Sequence, residues 1–369
     1  MSFEPDEDQR ELVSLVRGIL GQRADGPATR RALARPERYD VDLWRLLCED
    51  VGIAGMAIPE EFGGAGFTLR EAQLVLEEIG YSLTPSPYLG SVAIAAQAIL
   101  ASGDEEACAR LLPAIADGSS NAALAWADPS GRFAPAQVDV HAQEDAGWTL
   151  SGTSGFVLDG AIADVLLVIA QTDAGPRLFE VAEPGAVARA DVPTMDQTLR
   201  LVTLRFDAVP ARALGPADPA ALEPIRALAL SAIAAVQAGT AARALDMTVA
   251  YARQREQFGR PIGSFQAVKH RLADMHVQTE IARTASRAAS AALAAGDADR
   301  FALSATAKVV CSEALQHVAA ETIQLHGGIA ITWEHDAHLI FKRAHALGEL
   351  FGTAREERHR AESWALARH

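Results

Sequence analysis

The chain has 369 residues, 49% hydrophobic, 22% charged and 6% aromatic; these proportions exclude disordered and fibrous classes, and the length predicts two or three domains. A formal net charge of −15 argues against nucleic acid or an anionic membrane as partner, because both need a positive face. Three widely separated cysteines, Cys48, Cys108 and Cys311, point to a reducing compartment without a zinc site.

The N-terminal third reads as helical. Apolar residues from Leu12 to Leu20 recur at helical spacing within Asp8 to Leu20, and further helices are predicted over Leu43–Val51, Leu69–Gly80 behind a Thr68 cap, Val92–Ala101 and Asp104–Ile115, the last closed by Gly118. The stretch Gly55 to Gly66 is too rich in Gly and Pro for a regular element, and no Lys-Ser/Thr follows to make it a phosphate loop. The acidic start excludes a signal peptide, and the apolar stretch 227–242 is mostly alanine and too short to span a membrane, so the expected location is cytoplasmic.

From about 121 to 212 the pattern changes to short β-branched runs: Val138–His141, Trp148–Ser151, Asp164–Ile169, Pro176–Val181 and Leu201–Phe206, with turns at Asp145–Gly147 and Asp173–Gly175. From about Ala220 the helical signal returns, and the Ala-rich faces 227–250 and 281–296 allow close helix approach. The predicted class is therefore α+β, with an N-terminal helical domain (1–120), a middle β domain (121–212) and a C-terminal four-helix-bundle domain (213–369).

The stretch Arg255 to Met275 interrupts the longest helical run. Pro261 and Gly259 predict a break at Phe258–Pro261, with Ser264 as the N-cap of a new helix. A guanidinium (Arg255) and an aromatic ring (Phe258) beside a helix start suit a phosphate or a flat anionic cofactor. A plain helix-turn-helix corner with a solvated arginine fits the same residues. Late histidines (His317, His326, His335, His338, His345) lie outside any metal-binding spacing, although His335 and His338 are placed on one helical face. Trp333 and Trp364 read as packing residues, Glu334-His335-Asp336 as a charged helix start, and Arg355 to Arg360 as a mixed-charge helix surface.

Four passages in this order resemble the acyl-CoA dehydrogenase family over essentially the whole chain: Pro59-Glu60-Glu61-Phe62-Gly63-Gly64-Ala65-Gly66; Trp148-Thr149-Leu150-Ser151-Gly152; Arg255-Glu256-Gln257-Phe258-Gly259 with Phe265-Gln266; and Gln324-Leu325-His326-Gly327-Gly328. The resemblance implies an acyl-CoA dehydrogenase-like fold and FAD-linked α,β-dehydrogenation of an acyl-CoA thioester. It further implies a tetramer and an electron-transfer flavoprotein as acceptor. In the family the third and fourth passages reach across a subunit interface to a neighbour's FAD. Carried over, Arg255, Gln257, Phe258, Gln324, Leu325, His326, Gly327 and Gly328 would hold that FAD: a guanidinium for diphosphate charge and a Gly pair for close backbone approach.

The departures from the family are informative. Its catalytic glutamate stands either in a Tyr-Glu-Gly-Thr stretch or on the helix before R-x-x-F-G; here those positions hold Phe351 and Ala229, with Leu230 in place of the usual neighbouring arginine. Loss of a positioned base removes a factor of about 10² to 10⁴. Glu349 and Glu223 are the nearest candidates for a displaced base. The family's Thr-Glu-Pro and Trp-Ile-Thr, which meet the flavin ring, read Ala127-Asp128-Pro129 and Phe156-Val157-Leu158. What serves the chain's own site is lost, and what serves a partner's FAD is kept. The resemblance thus points to the base-less chain of a heterotetramer (α2β2) whose sister chain brings the glutamate. The Thr332-Trp333-Glu334-His335-Asp336 stretch resembles actinobacterial chains acting on steroid side-chain CoA thioesters. A self-sufficient homotetrameric dehydrogenase or oxidase with a displaced base, and a non-enzymatic scaffold, are the alternatives.

Overall fold

The computed structural model describes residues 4–133 and 138–366. The N-terminal helices are α1 (Glu7–Arg23), α2 (Gly26–Leu33), α3 (Val41–Glu49), α4 (Leu69–Ser82), α5 (Gln97–Ser102) and α6 (Glu105–Ala116). Their starts follow from local chemistry. Asp6 and Gln9 form a reciprocal capping box on α1; at α4 the Thr68 hydroxyl accepts from Arg70 N while the Glu71 carboxylate accepts from Thr68 N; and Asp104 accepts from Ala107 N at the start of α6. The predicted run Val92–Ala101 is instead a π-helical stretch, Tyr88–Ala96, that passes into α5. In the Gly-rich loop, a Cβ on Gly64 would overlap the Ile58 backbone, so that glycine is there for close packing.

The middle of the chain forms β1 (Ala122–Ala125), β2 (His141–Glu144), β3 (Trp148–Leu158), β4 (Val165–Thr172), β5 (Gly175–Val181), β6 (Ala188–Asp191) and β7 (Leu201–Leu214). The sheet runs β1-β4-β2-β3-β7-β5 and closes on itself because β5 also pairs with β4; β6 adds to β7. Of the predicted strand Val138–His141 only His141 lies in a strand, at the start of β2. β1 and β6 were not expected.

The C-terminal helices are α7 (Glu223–Gln254), α8 (Gln266–Ala294), α9 (Arg300–His326), α10 (Ala337–Glu349) and α11 (Ala354–Leu366). Ala234, Ala238, Ala282, Ala289, Ala307, Cys311 and Ala314 form a fully buried cluster among α7, α8 and α9, where small side chains let the helices approach. The apolar segment is longer than the sequence suggested: Pro219–Gln254 is long and apolar enough to cross a membrane. However, 94% of its apolar window is buried inside the protein, as in a core helix.

By backbone contacts the chain forms two compact units interleaved in sequence. One comprises Met1–Ala34, Gln73–Thr84 and Ile233–His369; the other comprises Arg35–Ala72 and Pro85–Ala232. The first is helical and the second carries the sheet.

Candidate cofactor clamp and catalytic positions

The helical unit brings the two predicted clamp segments together. α7 ends at Gln254, and Glu256–Gln257 (β8) pairs with Arg260–Pro261 (β9) in a hairpin, Gln257 opposite Arg260. Its two turn residues, Phe258 and Gly259, both adopt left-handed backbone, with φ of 55° and 76°. That is the requirement of a type I′ hairpin turn, which glycine meets freely and phenylalanine only with strain. Ile262 N–H closes the hairpin on Arg255 O at 2.8 Å. A short 3₁₀ turn, Ile262–Ser264, comes before α8, so Ser264 is not its N-cap. The Ser264 hydroxyl donates to Pro261 O at 2.7 Å, and α8 starts behind Phe265 without a side-chain cap. The Arg260 guanidinium lies 4.0 Å from the Phe265 ring centroid.

Phe258 is 92% exposed. Its ring meets Phe265 edge-on, at 6.3 Å and 86°, and this strained aromatic at the hairpin tip leaves most of its surface open for a ligand or partner. Arg255 and Gln257 are exposed beside it.

α9 ends at His326, and Gly327 turns the chain with φ 64° and ψ −144°, a conformation only glycine adopts readily. At Gly328 the backbone is ordinary and an added Cβ would meet nothing within 4 Å, so its own chain does not need a glycine there. Gln324, Gly327 and Gly328 are exposed, Leu325 is half-buried and His326 is buried. One guanidinium, Arg255, two amides, Gln257 and Gln324, and an open Gly-Gly backbone have the donor chemistry to hold an anionic diphosphate.

His326 sits behind this surface. Its ring stacks on Tyr251 at 4.4 Å and 27°, and its Nδ1 lies 2.8 Å from Thr322 O, which can only accept, so the proton is on Nδ1. Nε2 is then a buried acceptor with no hydrogen-bond partner among the described residues. His335 packs against the same ring at 4.7 Å. It is not on a helical face with His338, because α10 begins only at Ala337; its Nδ1 instead accepts from Ala337 N at 3.2 Å. Burial pushes both imidazoles below their ordinary pKa. Asp336 is paired with Arg30 at 2.8 Å and Arg243 at 3.7 Å, so its charge is held by two guanidinium groups rather than by an acid/base dyad with His335. Trp333 is 54% exposed, stacked on His338 at 4.7 Å, with Lys342 Nζ 4.6 Å from its ring; it is less enclosed than a packing residue.

The two positions at which the resemblance places a base hold side chains that cannot take a proton. Phe351 is buried with φ 59°, in the turn after α10, and Ala229 and Leu230 are buried within α7. Glu349 is the exposed last residue of α10. The Lys308 ammonium, fully buried, donates to Leu347 O and, at 3.1 Å, to Gly348 O, capping the last carbonyls before that turn.

In the sheet unit, Ala127 is buried and its carbonyl accepts from Ser154 Oγ at 2.8 Å. Asp128 is buried; burial alone would raise its pKa, but hydrogen bonds from Arg132 and Ser130 hold it at about 2. Phe156 stands at a break in the β3–β7 register with φ 52°, and its ring lies over Gly131, where a Cβ would come to 3.1 Å. At the end of β3, burial pushes the Asp159 carboxyl up to about 7, against the pull of Gly90 N–H and Arg200. From about pH 4 to about pH 7 the unfolded chain loses this proton while the folded chain keeps it, so the group's contribution to stability falls across that window and is level above it. Asp159→Asn is therefore expected to be more stable than the native chain at about pH 8, by on the order of a few kcal/mol, with no advantage at about pH 4. Urea midpoints of both proteins at the two pH values check this, and an equal difference at both contradicts it.

In chain order the molecule has helical, sheet and helical parts, with an open surface at Arg255–Phe258 and Gln324–Gly328 suited to an anionic nucleotide. The comparisons make this specific. Residues 6–119 match the description of the acyl-CoA dehydrogenase N-terminal domain, and 229–361 that of its C-terminal domain. The chain is 40% identical over 361 residues to the acyl-CoA dehydrogenase IpdE2 of Mycobacterium tuberculosis, covering 97% of this chain and 98% of that one. It is similar in structure to a Tcur3481-Tcur3483 steroid ACAD variant (TM-score 0.89, 34% identity) and to the ChsE4-ChsE5 complex of Mycobacterium tuberculosis (TM-score 0.90, 32% identity), each covering 98% of both chains. The chain belongs to the acyl-CoA dehydrogenase family, whose members are FAD-binding oxidoreductases acting on acyl-CoA.

Proposed function

We propose that this chain is the base-less subunit of a heteromeric acyl-CoA dehydrogenase and that Arg255, Gln257, Phe258, Gln324, Gly327 and Gly328 serve FAD shared with a sister chain. One contrast carries the reading. The clamp surface is intact, with Phe258 92% exposed, whereas both base positions hold buried hydrocarbon, Phe351 and Ala229. Bound FAD supplies hydride acceptance from the β-carbon of the thioester. The chain's own part is to neutralise the diphosphate through the Arg255 guanidinium, to offer the Gln257 and Gln324 amides, and to let the nucleotide approach the Gly327–Gly328 backbone. Removal of the α-proton then falls to a carboxylate of the sister chain.

Likeness to a steroid ACAD and to the ChsE4-ChsE5 complex favours a polycyclic, steroid-type CoA thioester as substrate, with an electron-transfer flavoprotein taking the electrons. Three free, buried cysteines, Cys48, Cys108 and Cys311, fit a reducing compartment and so favour a cytoplasmic location. Bound FAD per chain and native mass, measured for the chain alone and with a sister chain carrying the glutamate, test this. The expected result is little FAD alone and about one FAD per pair of chains in a heterotetramer. A homotetramer with one FAD per chain overturns it.

A further inference from the structure

We propose that Tyr251, His326 and His335 form an aromatic strut that sets the spacing between the two halves of the clamp, which makes them positioning residues for the cofactor. The proposal rests on the clamp reading above. Tyr251 bonds to both halves at once. Its carbonyl accepts from Arg255 N–H at 2.8 Å, one helical turn before the hairpin, and its hydroxyl donates to His326 O at 3.3 Å, the carbonyl preceding Gly327 N–H. Its ring also stacks on the His326 ring. The direction in which Gly327 and Gly328 leave α9 is thus tied, through a single tyrosine, to the direction in which Arg255 leaves α7.

His326 contributes the face of its ring rather than a ligand atom. Nδ1–H is committed to Thr322 O, and the other nitrogen is sealed from solvent. His335 packs against the same ring, tilted by 56°, and Asp336, held by Arg30 and Arg243, anchors that segment. The Trp333–His338 stack braces the same loop at its other end. The Thr332–Asp336 segment, His326, His335 and His338 therefore have a common task.

The test uses the FAD-binding assembly as it forms in solution, with the FAD dissociation constant read by flavin fluorescence and folding read by circular dichroism. Tyr251→Leu is expected to weaken FAD by at least about tenfold, whereas Tyr251→Phe, which keeps the ring, stays within about tenfold of native because it loses one hydrogen bond. His335→Asn, whose side chain can still accept from Ala337 N–H at the start of α10, removes the ring while sparing the cap and should weaken FAD with an unchanged melting temperature. Arg255→Ala separates the two readings. If it leaves FAD binding unchanged, the clamp itself is wrong. If it releases FAD while Tyr251→Leu and His335→Asn bind like the native chain, the strut alone is overturned. Should Tyr251→Leu fail to fold, His335→Asn decides.

Discussion

Alanine in place of Gly239 is expected to abolish stable folding of the helical unit or to cost at least about 3 kcal/mol, the upper end of overpacking penalties. α4 and α7 cross there with their backbones in contact. A Cβ on Gly239 would come within 2.7 Å of the Glu77 carbonyl carbon, and one on Gly80, from the other helix, within 3.0 Å of the Val236 carbonyl carbon. Neither obstacle is a flexible side chain that could turn aside. Thr240 Oγ1 donates to Gly80 O at 3.1 Å, so the approach is also hydrogen-bonded. Separating the helices to admit a methyl group would strain the adjoining Ala234–Ala238 face and loosen the buried Glu77–Arg287 pair, whose hydrogen bonds are 3.0 and 3.1 Å. Gly18 is the control: it lies within α1 with nothing within 4 Å of an added Cβ, so Gly18→Ala should stabilise by about 0.5–1 kcal/mol. Thermal unfolding of the two variants should move in opposite directions; a Gly239→Ala protein melting like the native chain contradicts the contact.

This pair of glycines also marks a limit of sequence reading. Gly within a helical pattern reads as a mild defect, and the closeness of two backbones depends on residues far apart in the chain. The strut escaped for the same reason: Tyr251 and His326 meet only after α7 and α9 are packed. Local chemistry was legible where it acts locally, as at Thr68, Asp104 and the Phe258–Pro261 break. β1 was not, because Ala122-Ala123-Leu124-Ala125 carries no strand preference and becomes a strand by parallel pairing with the apolar Val165–Val168 of β4, buried along its whole length. Ser264 misled for a related reason. A hydroxyl before a helical run resembles an N-cap, but the 3₁₀ turn that follows Pro261 spends it on a carbonyl. The Arg255–Gly259 motif was visible in the sequence; that Phe258 stands almost fully exposed in strained backbone was not, because exposure and backbone strain depend on the folded hairpin.

The chain purified alone and supplied with excess FAD is expected to dehydrogenate acyl-CoA at no more than about 10⁻² to 10⁻⁴ of the rate of its assembly with a base-bearing sister chain, the range set by removing a general base. Abstracting a proton next to a thioester carbonyl needs a carboxylate within hydrogen-bond reach, and Phe351 and Ala229 offer only hydrocarbon at the positions where the family places one. Glu349, two residues from Phe351, is the nearest substitute in sequence. It is exposed, while the turn after it is fixed by Gly352 N–H bonding to Glu349 O at 3.1 Å and by Lys308 holding the preceding carbonyls. To bring its carboxylate to position 351 the end of α10 would have to unwind and break the bonds from the buried Lys308 ammonium to Leu347 O and Gly348 O, a cost that opposes such a displacement. Glu349→Gln should accordingly leave the rate of the assembly unchanged. If the isolated chain instead turns over at the rate of the assembly and Glu349→Gln abolishes that activity, the base has moved to Glu349, and the partner is dispensable for the chemistry.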